Sequence, residues 1–384
     1  MGTPLELTAA AAEDPRLEER LRAEPAESRA RLLAEADRLR LGGEHQRRLA
    51  ATVYRALHAD VDPAAPAGAA RAAWFVDELQ WLDPSAAPLV RRAAAQCADD
   101  EARLRATVLA ARYSERDGDL EEADRLLREV VDSVRGTRSP IEFAALFQLA
   151  RVAANHEDCA RALAYAARAL AVAPSGLPPR ATVLALRCRA DAFATMGDRT
   201  RCEREVLSAE ALLSRLDRGD ARAQRADLAA TRAHAHLVLG ESAAALRFLA
   251  QALDDGGDGS PHRARWVHVM GAQAALDLGR ADAAASHVAR ALRSDAPDDV
   301  LALELDLLQV RLQRAAGGTG SARPRAAEFV RRLAGAGTRV VGPDRRARLA
   351  LAAARILAEP DGDVGQARRA WDLAVSSVLE SVSR

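Results

Sequence analysis

ALFQLARVAANHEDCARALAYAARALAVAP, residues 145–174, decides the fold. Two runs rich in Ala, Leu and Arg flank the polar cluster His156-Glu157-Asp158, and Pro174 closes the stretch. Those residues are strong helix formers. The cluster between them carries side chains that favour turns and helix starts. The stretch predicts two antiparallel helices joined by a tight turn.

The same unit recurs outward in both directions. Turn clusters fall at Asp117-Gly118-Asp119, Gly197-Asp198, Gly240-Glu241, Gly279-Arg280, Gly317-Gly318 and Asp361-Gly362. Their separations are roughly 39 to 44 residues, the scale of a helix–turn–helix repeat. Apolar residues between them keep helical spacing, as in Leu126, Leu127, Val130, Val131 and Val134. No segment alternates as a strand would. Small residues hold fixed places around each turn. Ala111, Ala150, Ala190, Ala233 and Ala272 lie seven residues before it. Ala123, Ala162, Cys202, Ala245 and Ala284 lie five after it, with Ala367 later in the chain. A further set, Ala169, Ala209, Ala252, Ala291 and Ala374, lies seven beyond that. Small side chains at these points let two helices approach closely; larger ones would push the pair apart.

With its small residues in these three places, its turn glycines and its prolines at Pro174 and Pro297, the chain resembles the tetratricopeptide repeat (TPR) family over about residues 100–374. It departs from that family where large aromatic positions are Ala, Val or His, in repeats longer than 34 residues, and in an insertion in the unit around Gly317-Gly318-Thr319-Gly320. The resemblance implies an all-α fold, a right-handed α-solenoid of TPR-like antiparallel helix pairs. It also implies that the first helix of each pair lines a concave face. Transferring that register gives a partner-binding set: Arg105, Arg112, Arg116, Phe147, Arg151, Asn155, Arg187, Asp191, His234, Trp266 and Gln273. Guanidinium forks suit carboxylates, including a peptide C-terminus, and aromatics supply anchor pockets. The other reading of each arginine is a solvated residue paired with a neighbouring acid.

Residues 1–99 are expected to form a helical capping region, and 100–384 the repeat array. Within the cap, residues 26–61 read as two helices around Gly42-Gly43, and 62–69 as a linker. Residues 72–90, AAWFVDELQWLDPSAAPLV, resemble the Walker B segment of the ATPases in LuxR-type bacterial regulators. Asp77, Glu78, Gln80, Trp81, Asp83 and Ser85 match that segment, whose role in the family is magnesium and water positioning at a triphosphate. Three readings stay open: an active nucleotide site, a relic of a regulator, or coincidence on a capping helix. The chain holds no lysine, so all 55 of its basic residues are Arg. A P-loop needs its lysine at the phosphates, and Schiff-base chemistry needs a lysine amine. The repeats also begin about 20 residues later, which leaves no room for an ATPase domain. EREVL, residues 203–207, echoes the start of a LuxR-type DNA-binding domain, but it lies inside a repeat with no helix-turn-helix after it.

Other chemistry is sparse. His234 and His236 are two apart and do not share a helix face. His156-Glu157-Asp158-Cys159 carries ligand-type groups but reads as a turn. Cys202 reads as a packed thiol. No catalytic residue, metal ligand or cofactor is expected, and the four cysteines form neither a disulfide framework nor a zinc pattern.

A formal net charge of +0 argues against generic nucleic-acid binding. The absence of a long uncharged apolar run argues against a membrane span, and the N-terminal residues do not read as a signal peptide. These features predict a cytoplasmic protein; the resemblance to the TPR family implies a non-catalytic interaction protein with a protein or peptide partner, one that is acidic or offers a free C-terminal carboxylate. The alternatives are a regulatory sensor, related to the repeat region of LuxR-type regulators and responding to a peptide or small molecule, and, with no motif behind it, an enzyme on a repeat scaffold. Charge is uneven: residues 311–355 hold 11 Arg against Glu328 and Asp344, and residues 99–132 hold 11 acids against six Arg. A head-to-tail homodimer is a further expectation from that asymmetry.

Overall fold

The computed structural model describes residues 14, 16–39, 44–57, 60, 68, 71, 87–97, 99–174, 177–256, 261–293, 299–317, 319–336, 343–358 and 364–383. Among the described residues all regular structure is helical. The chain divides into two compact units, Met1–Thr137 and Arg138–Arg384.

Unit 1 contains α1 (Leu17–Ala23), α2 (Ala26–Leu39), α3 (Glu44–Leu57), α4 (Ala87–Gln96), α5 (Asp100–Arg116) and α6 (Leu120–Val134). Helices α2 and α3 pack as a pair, as the flanks of Gly42-Gly43 predict, and α5 pairs with α6. Leu21, Leu33, Val53, Leu57, Val90 and Tyr113 are buried in one core.

Unit 2 is built of helix pairs. They are α7 (Pro140–Asn155) with α8 (Cys159–Val172), α9 (Pro179–Thr195) with α10 (Arg199–Glu210), and α11 (Arg218–Val238) with α12 (Ser242–Gly256). Then come α13 (Pro261–Asp277) with α14 (Ala281–Leu292), α15 (Asp299–Ala315) with α16 (Thr319–Gly335), and α17 (Pro343–Leu357) with α18 (Val364–Ser383). First helices also pack on the next first helices, α9 on α11, α11 on α13, and α13 on α15. The expected insertion near Gly317 does not lengthen its turn. Helix α15 ends at Ala315 and α16 starts at Thr319, the same gap as between Thr195 and Arg199.

One turn design recurs because one local chemistry recurs. The residue after the first helix donates back to a carbonyl, and the next residue enters the left-handed region. Gly118, Gly197, Gly240, Gly279 and Gly317 all take φ between 70° and 81° there, where glycine has no Cβ to clash. The following amide then reaches five residues back: Asp119 to Ser114 (2.8 Å), Asp158 to Ala153 (2.9 Å), Asp198 to Phe193 (2.9 Å), Glu241 to His236 (2.8 Å) and Arg280 to Ala275 (2.8 Å). This Schellman-type closure satisfies carbonyls the helix end leaves open. The side chains of Asp119, Asp158 and Asp198 then cap the second helix, accepting from the amides of Glu122, Arg161 and Arg201.

The small residues form the seam between helices. Ala150, Ala162, Ala169, Ala190, Ala209, Ala233, Ala245, Ala272, Ala284 and Ala291 are all fully buried, and Cys202 is 1% exposed among them. Burial pushes the Cys202 thiol up to about 12, so it stays protonated and serves packing. Ala233 and Ala245 share a core with Leu249, Ala252, Val267 and Met270. Ala233→Leu is expected to cost about 2 kcal/mol, because extra methylenes in a packed seam force backbone shifts. Exposed Ala243 on α12 is the control, with Ala243→Leu expected within about 0.5 kcal/mol of the parent. Equal effects in urea denaturation would contradict the seam.

Candidate functional site

In unit 2 successive first helices pack on one another, and polar side chains one repeat apart meet between them. Arg187 on α9 pairs with Asp227 on α11, and its Nη1 donates to Gln224 Oε1 at 3.5 Å. Arg263 on α13 reaches the same carboxylate, its Nη2 donating to Asp227 Oδ2 at 3.1 Å. Two guanidinium groups thus share one acid. Beside them, Thr231 Oγ1 donates to Asp191 Oδ1 at 2.5 Å. Burial raises the Asp191 carboxyl to about 6, against the opposing pull of Arg187 and the Thr231 hydrogen bond. Farther along, Arg311 on α15 bonds Gln273 and pairs with Asp277 at 2.9 Å, while Gln273 Nε2 donates to Asp277 Oδ1 at 2.7 Å.

Aromatic groups sit beside this ladder. His234 meets Trp266 edge to face with ring centroids 6.2 Å apart. Burial, then the charges of Arg345 and Arg348, push His234 down to about 4, so the ring is neutral near pH 7. Phe147 stacks on Phe143 with centroids 6.2 Å apart. Arg151 donates to Gln148 Oε1 at 3.3 Å, and Asn155 is exposed at the end of α7.

The predicted partner-binding set therefore divides. Phe147, Arg151, Asn155, Arg187, Asp191, His234, Trp266 and Gln273 lie on first helices of unit 2. Arg105, Arg112 and Arg116 lie on α5 in unit 1. There Arg105 pairs with Glu101 at 2.5 Å, Arg112 is half-buried, and Arg116 lies over the Tyr113 ring at 5.0 Å. Several of these arginines have acidic neighbours, the other reading given for them. The basic stretch 311–355 behaves likewise: Arg332 pairs with Asp306, and Arg346 with Glu380 at 2.7 Å. EREVL is structural, with Val206 buried and Glu205 paired to Arg189 at 2.8 Å. Asp77, Glu78, Gln80, Trp81 and Asp83 lie outside the described residues, as does Ser85.

Glu157 is the residue that sequence reasoning passed over as a turn. Its backbone φ is +59°, the left-handed value that glycine takes at the matching place in five other turns. An L residue is strained there by roughly 1–2 kcal/mol. Its side chain is only 8% exposed and its Oε1 meets two arginines of α17, Arg348 at 2.6 Å and Arg345 at 3.5 Å. Arg345 also lies 3.1 Å from Glu304 on α15. Glu157 Oε2 is buried with no hydrogen-bond partner. The signal available in the sequence was the acid standing where the register calls for glycine. Asp227, Arg263 and Arg345 were missed because their importance rests on partners in other repeats.

Among the described residues no group of three or more His, Cys, Asp or Glu is placed to hold a metal ion. No described helix is long and apolar enough to cross a membrane.

No family model matches the chain, and no curated protein matches it. Solved structures do. A Rap protein complexed with competence and sporulation factor aligns with a TM-score of 0.58 at 14% identity, covering 93% of this chain and 100% of that one. A tetratricopeptide repeat protein from Parabacteroides merdae aligns at TM-score 0.43 and 14% identity, over 80% of this chain and 96% of its own. A thermophilic TPR protein of Thermus thermophilus aligns at TM-score 0.39 and 23% identity, over 56% of this chain and 98% of its own. The fold is that of a TPR-like helical-repeat scaffold.

Proposed function

We propose that this helical-repeat scaffold is a non-catalytic interaction protein that holds a peptide or protein partner against the inner face of unit 2. The observation that carries the reading is the joint display of Arg187, Arg263, His234 and Trp266 by three consecutive first helices. Stacked helix pairs form extended binding surfaces. Arginine forks read carboxylates with directional hydrogen bonds, and a tryptophan with a neutral histidine edge offers an apolar anchor. An acidic partner, or one presenting a C-terminal carboxylate, fits this chemistry. The Rap protein that shares the fold is complexed with competence and sporulation factor, which supports a ligand-holding role. Arg105, Arg112 and Arg116 offer a separate basic contact on unit 1.

The test is selection of random dodecamer peptides on the purified chain, with affinities then read by fluorescence polarisation. Trp266→Ala should weaken the selected peptides by about tenfold or more, as loss of an interface anchor does. No enrichment, or peptides indifferent to both Trp266→Ala and Arg263→Ala, would remove this reading.

A further inference from the structure

Arg345 and Arg348 project from the start of α17 to a turn more than 180 residues earlier in the chain. They converge there on one atom, Glu157 Oε1. Their positive charges also bear on His234, which stands against Trp266. The place is thus bounded by α15, α17 and the turn after α7, with α11 near enough for His234 to feel the same charges. Arg348 is 58% exposed, so the pair is reachable from solvent.

Glu157 is an unusual occupant. Five other turns place glycine in its backbone conformation, and glutamate is the poorer choice for the turn itself. Local folding therefore does not account for it; its side chain does. That side chain brings a carboxylate to two guanidinium groups, yet leaves Oε2 buried without a hydrogen-bond donor. A carboxylate has lone pairs on both oxygens to satisfy, and this one uses only half of its capacity.

We propose that Arg345 and Arg348 form a carboxylate-binding site for an acidic peptide, and that Glu157 is its internal stand-in, displaced when the peptide binds. This rests on the peptide-binding reading above and adds where the carboxylate goes. An incoming carboxylate takes both guanidinium groups, and Glu157 exchanges a half-satisfied buried position for water. His234 and Trp266 then border the residue that carries the carboxylate. The internal contact lowers apparent affinity by the fraction of time it is closed.

The experiment uses the full chain and pools of random dodecamers. One pool contains glutamate with an amidated C-terminus. A second contains glutamine in its place with a free C-terminal carboxylate. A third has glutamine and an amide, and so offers no carboxylate. Retention is compared on the parent, Glu157→Gln, Glu157→Gly and Arg345→Gln/Arg348→Gln. Glu157→Gly restores the residue that the other turns use, which protects the test against misfolding. The expected result is at least tenfold more retention of a carboxylate pool on both Glu157 variants than on the parent. Retention of the carboxylate pools should fall at least tenfold on the double arginine variant, leaving only what Arg187 and Arg263 hold. The first two pools show whether a side-chain or a terminal carboxylate is read. Equal retention on the parent and both Glu157 variants would overturn this site while leaving the peptide reading intact. So would retention undiminished by the double arginine change. No retention above the third pool on any protein would overturn this site, and no retention of any pool at all would remove the peptide reading as well.

Discussion

Asp227→Ala should destabilise unit 2 by about 3 kcal/mol or more, a loss typical of breaking a buried ion pair from one side. Asp227 is 14% exposed, and its two partners, Arg187 and Arg263, are 25% and 18% exposed. Removing the carboxylate strands two guanidinium groups whose desolvation it offsets. For a unit of about 250 residues this corresponds to a melting temperature lower by roughly 6–12 °C. A companion variant separates charge from packing. Asp227→Leu with Arg187→Met and Arg263→Met should recover most of the loss, since replacing a whole buried ionic cluster by apolar groups is often neutral. The two proteins are compared by urea denaturation. A single Asp227→Ala variant within 0.5 kcal/mol of the parent, on the ordinary scale of surface changes, would contradict the shared-carboxylate geometry.

The second large effect is acid sensitivity, and its sign follows from three groups, His268 buried and His234 and Asp191 half-buried. His234 and His268 are both held down at about 4 against an ordinary value of 6.5. Burial is the leading cause for each. Arg345 and Arg348 add to it at His234. At His268, His287 adds to it, their Nδ1 atoms lying 3.1 Å apart, followed by Arg290 and Arg293. Between pH 6.5 and 4 the unfolded chain therefore binds protons at these rings that the folded chain does not. Stability is lost as pH falls through that window, by roughly 3 kcal/mol for each ring over the whole of it. Asp191 works the other way. Raised from 3.8 to about 6, it is protonated earlier in the folded state, and it adds stability as pH falls. The net expectation is a loss of roughly 3 kcal/mol between pH 6.5 and 4. Asp191→Asn removes the opposing group, so its loss over the same window should be about twice as large. Urea midpoints at pH 7, 5.5 and 4.5 check both statements. A stability that stays level or rises on acidification would contradict the neutral state of the two histidines.

How much of this was readable in the sequence depends on the distance over which each feature is determined. The helix pairs were legible because the turn is local. A glycine at Gly197 or Gly240 and an aspartate at Asp198 set φ and the cap within a few residues. The seam was legible because its small residues recur in register, and all of them except the half-buried Ala367 are buried. The placement of the candidate residues on first helices was legible, but the network among them was not. Arg187 meets Asp227 only because one repeat separates them by 40 residues, and the sequence gives no sign of which acid each arginine takes. The Glu157 contact with Arg348 spans 191 residues and depends on how several pairs accumulate their rotation. Repeat spacing does not supply that quantity. What the sequence did offer was an acid in a glycine position, and that irregularity was the signal.

The central claim is that the inner face of unit 2, not the outer helices, holds the partner. The most direct measurement is photo-crosslinking of a selected dodecamer carrying a benzophenone, with the attachment sites mapped by mass spectrometry on the full chain. The account predicts attachment on α9, α11, α13 and the start of α17, close to Arg187, His234, Trp266 and Arg345. Attachment confined to the second helices α8, α10 and α12, or to unit 1, would contradict it.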